Sequence, residues 1–221
     1  MSFAARPEVC GNGENIVIRD SHHRRVRRDE DWEHDCEHGV VRIVLRIRDR
    51  QVDDIDVYVG GRWRAVDEPP LELGTRPVRE AVDYLLDLAR GGQPGVGPQS
   101  LFAASLADSV VIWPELLALA KDESLPGETR KMAILLTSEA AGDAATAGLT
   151  DVVYDDEGDL EVRKMAVFAL SQRPADEAVP TLIQIVRTNP DPGLVRSAIF
   201  LLGQIEDPRV VELYEEILIR G

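Results

Sequence analysis

At 221 residues the chain can build one comfortable core or two small ones. Hydrophobic residues at 44% and charged residues at 29% are ordinary for a globular protein and exclude disorder over the whole length. The formal net charge of -15 is uneven: residues 1–66 carry 12 Arg and Lys against 13 Asp and Glu, while residues 67–221 carry 13 against 27. An excess of that size repels phosphate backbones, so nucleic acid is excluded as a partner of the helical part, and a basic or mixed-charge protein or peptide is compatible with it.

No run approaches the ~18 apolar residues of a membrane helix, so membrane insertion is not expected. The start, Met1 to Pro7, has neither the basic beginning nor the apolar stretch of an export signal, so export would require a signal already removed.

Residues 1–66 read as a small β domain. Asn15–Arg19 is a short strand candidate. Val41, Ile43, Leu45 and Ile47 alternate with Arg42, Arg46 and Arg48, which is the period of a half-buried strand. After a turn at Asp49–Gln51, Ile55, Val57 and Val59 mark a second strand, closed by Gly60 and Gly61, with Trp63 set to cover the end of the sheet. A lone hairpin is marginal in water, so the N-terminal strand, a disulfide or the helical flank must complete the core.

Residues 67–76 read as a linker, with Thr75 before Pro77 as a helix cap. From residue 77 the period becomes 3.6, with Val78, Ala81, Val82, Leu85, Leu86 and Leu88 forming an apolar stripe that stops at Gly91-Gly92. The Pro- and Gly-rich residues 93–99 read as a loop. Helices are then expected near residues 100–107, 111–121, 128–140, 144–153, 160–172, 177–188, 193–205 and 208–220. Short joints between them force antiparallel neighbours.

An internal recurrence sharpens this into an architecture. Arg130-Lys-Met-Ala-Ile-Leu-Leu136 returns 33 positions later as Arg163-Lys-Met-Ala-Val-Phe-Ala169. Ala166-Val-Phe-Ala-Leu-Ser-Gln172 returns 32 positions later as Ala198-Ile-Phe-Leu-Leu-Gly-Gln204. Ala133, Ala166 and Ala198 hold one place in each first helix and permit close approach of a neighbour. A helix pair cannot bury both its apolar faces alone, so the pairs must stack.

Val162–Gln172, Asp176–Leu182, Ala198–Gln204 and Asp207-Pro208 together resemble bacterial HEAT-repeat proteins, over residues 126–221 and more weakly back to 77. The resemblance implies a mainly α fold: an α-solenoid of HEAT-like antiparallel helix pairs over residues 77–221, preceded by a small N-terminal β-hairpin domain. It also implies that Asp159 and Asp191 sit in turns and that Arg163 and Lys164 lie in stacking or surface rungs. Val195 stands where the preceding repeat has Arg163, so no charge rung is expected there. Family members with paired cysteines in such an N-terminal piece look exported.

Cys10, Cys36 and all four histidines, His22, His23, His34 and His38, fall within 29 residues. A disulfide between Cys10 and Cys36, a metal site on the His34-x-Cys36-x-His38 run, and two free thiols are the three readings. The bridge is preferred because an even pair suits a small domain with a thin core, whereas Cys10 lacks the close companion of a zinc site. A bridge would place the chain outside the cytoplasm, and free thiols inside it. The basic run Arg24–Arg28 is followed by Asp29-Glu30-Asp31 and reads as a solvated loop.

No nucleophile, zincin, phosphate-loop or dinucleotide motif is present, and residues 77–221 contain neither His nor Cys. No catalytic residue, metal or cofactor is expected. The acidic run Asp155, Asp156, Glu157 and Asp159 reads as an inter-repeat loop. Phe102, Trp113 and Tyr154 stand near helix ends and are the candidate partner anchors. The function expected is a non-enzymatic protein–protein interaction module or scaffold, its second helices offering a mildly concave acidic surface. The alternatives are an accessory subunit that binds through the β domain and a HEAT-like lyase or ligand-handling enzyme.

Overall fold

The computed structural model describes residues 1–13, 15–18, 36–61, 71–140 and 142–220. His22, His23, His34, the Arg24–Arg28 run, Trp63 and the first four linker residues, 67–70, lie outside the described residues. The fold is mainly α, with nine helices and a small antiparallel β region among the described residues. Contacts divide the chain into two compact units, Met1–Ile112 and Trp113–Gly221.

In Met1–Ile112 the strands are β1 (Ser2–Ala4), β2 (Val9–Gly11), β3 (Ile16–Ile18), β4 (Val40–Arg48) and β5 (Gln51–Val59). Sheet order is β1-β4-β5, with β2 and β3 as a separate pair, all antiparallel. The expected hairpin is thus completed by β1, whereas Ile16–Ile18 of the N-terminal strand candidate pairs with β2. Neither β1 nor β2 is long enough to display an alternation. Asp49 and Arg50 both take positive φ, 52° and 65°, as the two-residue turn between β4 and β5 demands. Val41 and Ile43 are buried on the core side, but the alternation runs off the core at the hairpin tip, where Ile47 is 68% exposed. A register shift between Arg46 and Ile47 marks the change.

Gly60 and Gly61 close β5 with φ near +62° and +61°. A side chain at either position would strike the backbone of β2 or its turn, with the Gly11 carbonyl oxygen 2.1 Å from a Cβ at residue 60. The Cys10–Cys36 disulfide is present, with Cα atoms 5.4 Å apart, and the Gly11 and Glu37 backbones bond reciprocally beside it. With Cys36 in the bridge, its sulfur is a partner of Cys10, and His38 Nδ1 lies 3.1 Å from the Val9 carbonyl oxygen.

Two helices, α1 (Val78–Arg90) and α2 (Val96–Ser105), complete this core. Val82, Leu85, Leu86 and Leu101 are fully buried with Phe3 and Val59. Gln99 accepts the Ile55 N–H at 3.1 Å, so α2 covers the open edge of β5. The sequence drew its boundary at residues 67–76, whereas contacts divide the chain at Ile112 and Trp113, because α1 and α2 pack with the strands. Residue 96 begins a helix inside the expected 93–99 loop because Pro98 falls in its first turn, where no N–H donor is needed. Thr75 is not the cap of α1: Pro77 holds that position, and Thr75 pairs its hydroxyl with Ser2.

Trp113–Gly221 contains α3 (Trp113–Lys121), α4 (Gly127–Thr137), α5 (Asp143–Val153), α6 (Leu160–Ser171), α7 (Ala175–Thr188), α8 (Pro192–Leu202) and α9 (Pro208–Arg220). Helices α4, α6 and α8 contact one another in order and form one layer, while α3, α5, α7 and α9 form the other. Ala133, Ala166 and Ala198 are fully buried, as the 32 to 33 residue recurrence requires. Pro180 lies inside α7 yet is exposed, so its ring meets solvent rather than the stack.

Candidate interaction surfaces of the repeat unit

The repeat turns are built by a few polar groups. Arg130 Nε donates to the Ala120 carbonyl and Arg163 Nε to the Val153 carbonyl, both at 3.0 Å and both ten residues back. Each guanidinium therefore closes the C-terminus of the preceding helix, where carbonyls are unpaired and the helix dipole favours positive charge. Arg163 is 7% exposed and reaches the Asp156 carboxylate at 3.2 Å. In the third repeat Val195 replaces the arginine, and the end of α7 is closed by buried Asn189, whose N–H donates to Ile185 and whose Oδ1 accepts the Asp191 N–H.

Asp159 and Asp191 sit in the turns and are helix N-caps. Asp159 accepts the N–H groups of Glu161 and Val162, and Asp191 those of Gly193 and Leu194. The Val162 and Glu161 N–H groups hold the Asp159 carboxyl below its usual range, and the Leu194 and Gly193 N–H groups do the same for Asp191. Depressed folded values mean that both caps contribute above the unfolded carboxylate pKa of roughly 4 and lose that contribution as pH falls through the folded values. Asp159→Ala should therefore cost about 1 kcal/mol at neutral pH. Thermal unfolding of the two proteins at neutral pH and near pH 3 checks this: the gap narrows in acid.

Arg173, between α6 and α7, is held by hydrogen bonds to two turns. Its Nε donates to Thr146 Oγ1 at 2.9 Å, Nη1 to the carbonyls of Ser138, at 2.9 Å, and Ala140, and Nη2 to the Gly142 carbonyl at 3.1 Å. Glu177 Oε2 lies 2.9 Å from Nη2 and also accepts the Thr146 hydroxyl. One guanidinium thus ties the α4–α5 turn to the α6–α7 turn. The Thr146 hydroxyl, with the Arg173 guanidinium, holds the Glu177 carboxyl below its usual range.

The three aromatic candidates are divided between the two units. Phe102 is half-buried on α2 in the first unit, while Trp113 opens α3 and Tyr154 follows α5 in the second, each half-buried. The Tyr154 hydroxyl lies 2.8 Å from Thr188 Oγ1, which links α5 to α7.

Charge is sorted by layer. Helices α4, α6 and α8 carry five basic residues against two acidic ones; α3, α5, α7 and α9 carry eight acidic against four basic. The joining turns hold ten acidic residues, among them Asp155, Asp156, Glu157 and Asp159, against Arg173 alone. The acidity read from composition therefore lies on the second helices and the turns. Sequence reasoning overlooked the exposed aromatics Phe168 and Phe200, although both stand at the recurring position that reveals the repeat.

A two-layer stack of helix pairs tied through their turns defines the unit as an α-helical repeat. The family model for HEAT repeats matches residues 157–220, which span α6 to α9. HEAT repeats generally mediate protein–protein interaction and are usually non-catalytic scaffolds. No curated protein matches the chain. Among the described residues, no helix is long and apolar enough to cross a membrane.

Proposed function

We propose that this chain is a non-enzymatic protein–protein interaction module whose second helices and acidic turns hold a basic or mixed-charge protein or peptide. The observation that carries the reading is the segregation of charge in Trp113–Gly221, with the acidic excess gathered on one helix layer and its connecting turns. Such a field steers a basic partner and rejects an acidic one.

A fluorescently labelled lysine-rich peptide tests it by anisotropy titration. Binding should weaken by at least about 10-fold when Asp151, Asp155 and Glu157, all exposed, are changed together to lysine. It should also weaken as salt rises from about 50 to about 500 mM, where exposed charges are screened. Equal affinity of the triple variant and the wild type would sink the reading.

A further inference from the structure

The first-helix layer carries a second surface of opposite character. Lys131 on α4, Lys164 on α6 and Arg196 on α8 occupy the same repeat position, and four residues on, one helical turn away, stand Leu135, Phe168 and Phe200. Leu135 is half-buried, Phe168 is 40% exposed and Phe200 is 70% exposed. Met132 and Met165 lie beside this row, both half-buried. Lys164 shares its charge with Glu161 at 2.8 Å, whereas Lys131 and Arg196 have no ion pair among the described residues. Packed helices lie about 8 to 10 Å apart, so the three apolar rungs repeat at that spacing.

Helix α9 carries the complement. Val210 and Leu213 face the stack, while Val211, Leu218 and Ile219 are exposed on the far side with Glu212 and Glu215 among them. Val211 and Leu218 are seven residues apart, a separation of about 10.5 Å along a helix. That spacing matches the rungs of the first-helix layer, and the sign of the flanking charges is opposite. An apolar row rimmed by glutamates and an apolar row rimmed by lysine and arginine on one chain are mutually complementary.

We propose that the α4–α6–α8 face docks helix α9 of a second copy of this chain, with Val211 and Leu218 against the Phe168 and Phe200 rungs and Glu212 and Glu215 toward Lys164 and Arg196. The contact uses two different surfaces, so it is heterologous. A phosphate backbone is a poorer occupant, since the unit is acidic overall and the phenylalanines would meet no apolar group. The contact draws on α9, a helix of the acidic layer, but not on Asp151, Asp155 or Glu157, so its test is distinguishable from that of the acidic face.

Sedimentation velocity of the full chain between about 1 and about 100 µM provides the test. The wild type should gain mass with concentration. Phe168→Ser with Phe200→Ser removes the face, and Val211→Ser with Leu218→Ser removes the helix. All four positions are at least 40% exposed, so circular dichroism should report intact folds. Each double variant alone should weaken association by about 10-fold or more, and an equimolar mixture of the two should restore a pair, because one supplies α9 and the other the face. A wild type that keeps a single mass throughout, association that survives either double variant, or a mixture that stays monomeric would each overturn the proposal.

Discussion

Replacing Arg173 by methionine is expected to destabilise the repeat unit by about 3 to 5 kcal/mol, the cost of removing one partner from a buried charged pair. The side chain is 4% exposed, and its guanidinium is the shared donor for Thr146, Glu177 and three backbone carbonyls. Methionine fills the space but donates nothing, so Glu177 keeps only the Thr146 hydroxyl, and the carbonyls of Ser138, Ala140 and Gly142 lose a shared donor. At a urea slope of about 2 kcal/mol per molar, the midpoint should fall by about 2 M. Far-UV circular dichroism during urea titration measures it. Glu177→Gln should cost less, because the amide oxygen still accepts from Thr146 and Arg173. The depressed Glu177 pKa adds a sign: the carboxylate's contribution is complete above its unfolded value of roughly 4.3 and is lost as pH falls through the lower folded value. The Arg173→Met deficit should therefore shrink in acid, and a deficit independent of pH would separate the two residues.

Opening the Cys10–Cys36 bridge should cost the Met1–Ile112 unit about 3 kcal/mol, from the conformational freedom returned to an unfolded chain closed over a separation of 26 residues. Cys10 is fully buried on β2 and brings the β2–β3 pair against residues 36 and 37, so the bridge secures a part of the core with little apolar area of its own. A loss of that size in a unit of this length corresponds to about 12 °C in melting temperature. Thermal unfolding with and without reductant measures the shift, and intact mass under the same conditions tracks the two protons gained on reduction. A melting curve indifferent to reductant would mean that the β1-β4-β5 sheet and its two helices carry the unit unaided.

The fates of particular residues separate what sequence can reveal from what it cannot. Ala133, Ala166 and Ala198 were legible because burial against a neighbouring helix imposes the same small residue at a fixed period. Asp159 and Asp191 were legible as turn residues through the resemblance to HEAT repeats, and their capping of α6 and α8 is what holds them there. Arg173 was not: its partners are main-chain carbonyls some 31 to 35 residues away, and a buried arginine has the same letter as a solvated one. Strands β1 and β2, at three residues each, are too short for a period, and α2 starts among Gly and Pro residues that read as a loop. The acidic character expected of the second helices was legible, whereas summing charge along the chain concealed the basic excess on α4, α6 and α8, because consecutive helices alternate from one layer to the other. Phe168 and Phe200 were seen as evidence of repetition, and only their exposure makes them a surface.

Affinity capture from native extract with two baits tests the central claim most directly. One bait is the full chain, and the other differs only by Asp151→Lys, Asp155→Lys and Glu157→Lys. The account predicts a protein recovered with the first, released by rising salt, and depleted about 10-fold or more with the second. Recovery of the same proteins in equal amounts on both baits, or of nothing above background on the first at any salt concentration, would contradict it.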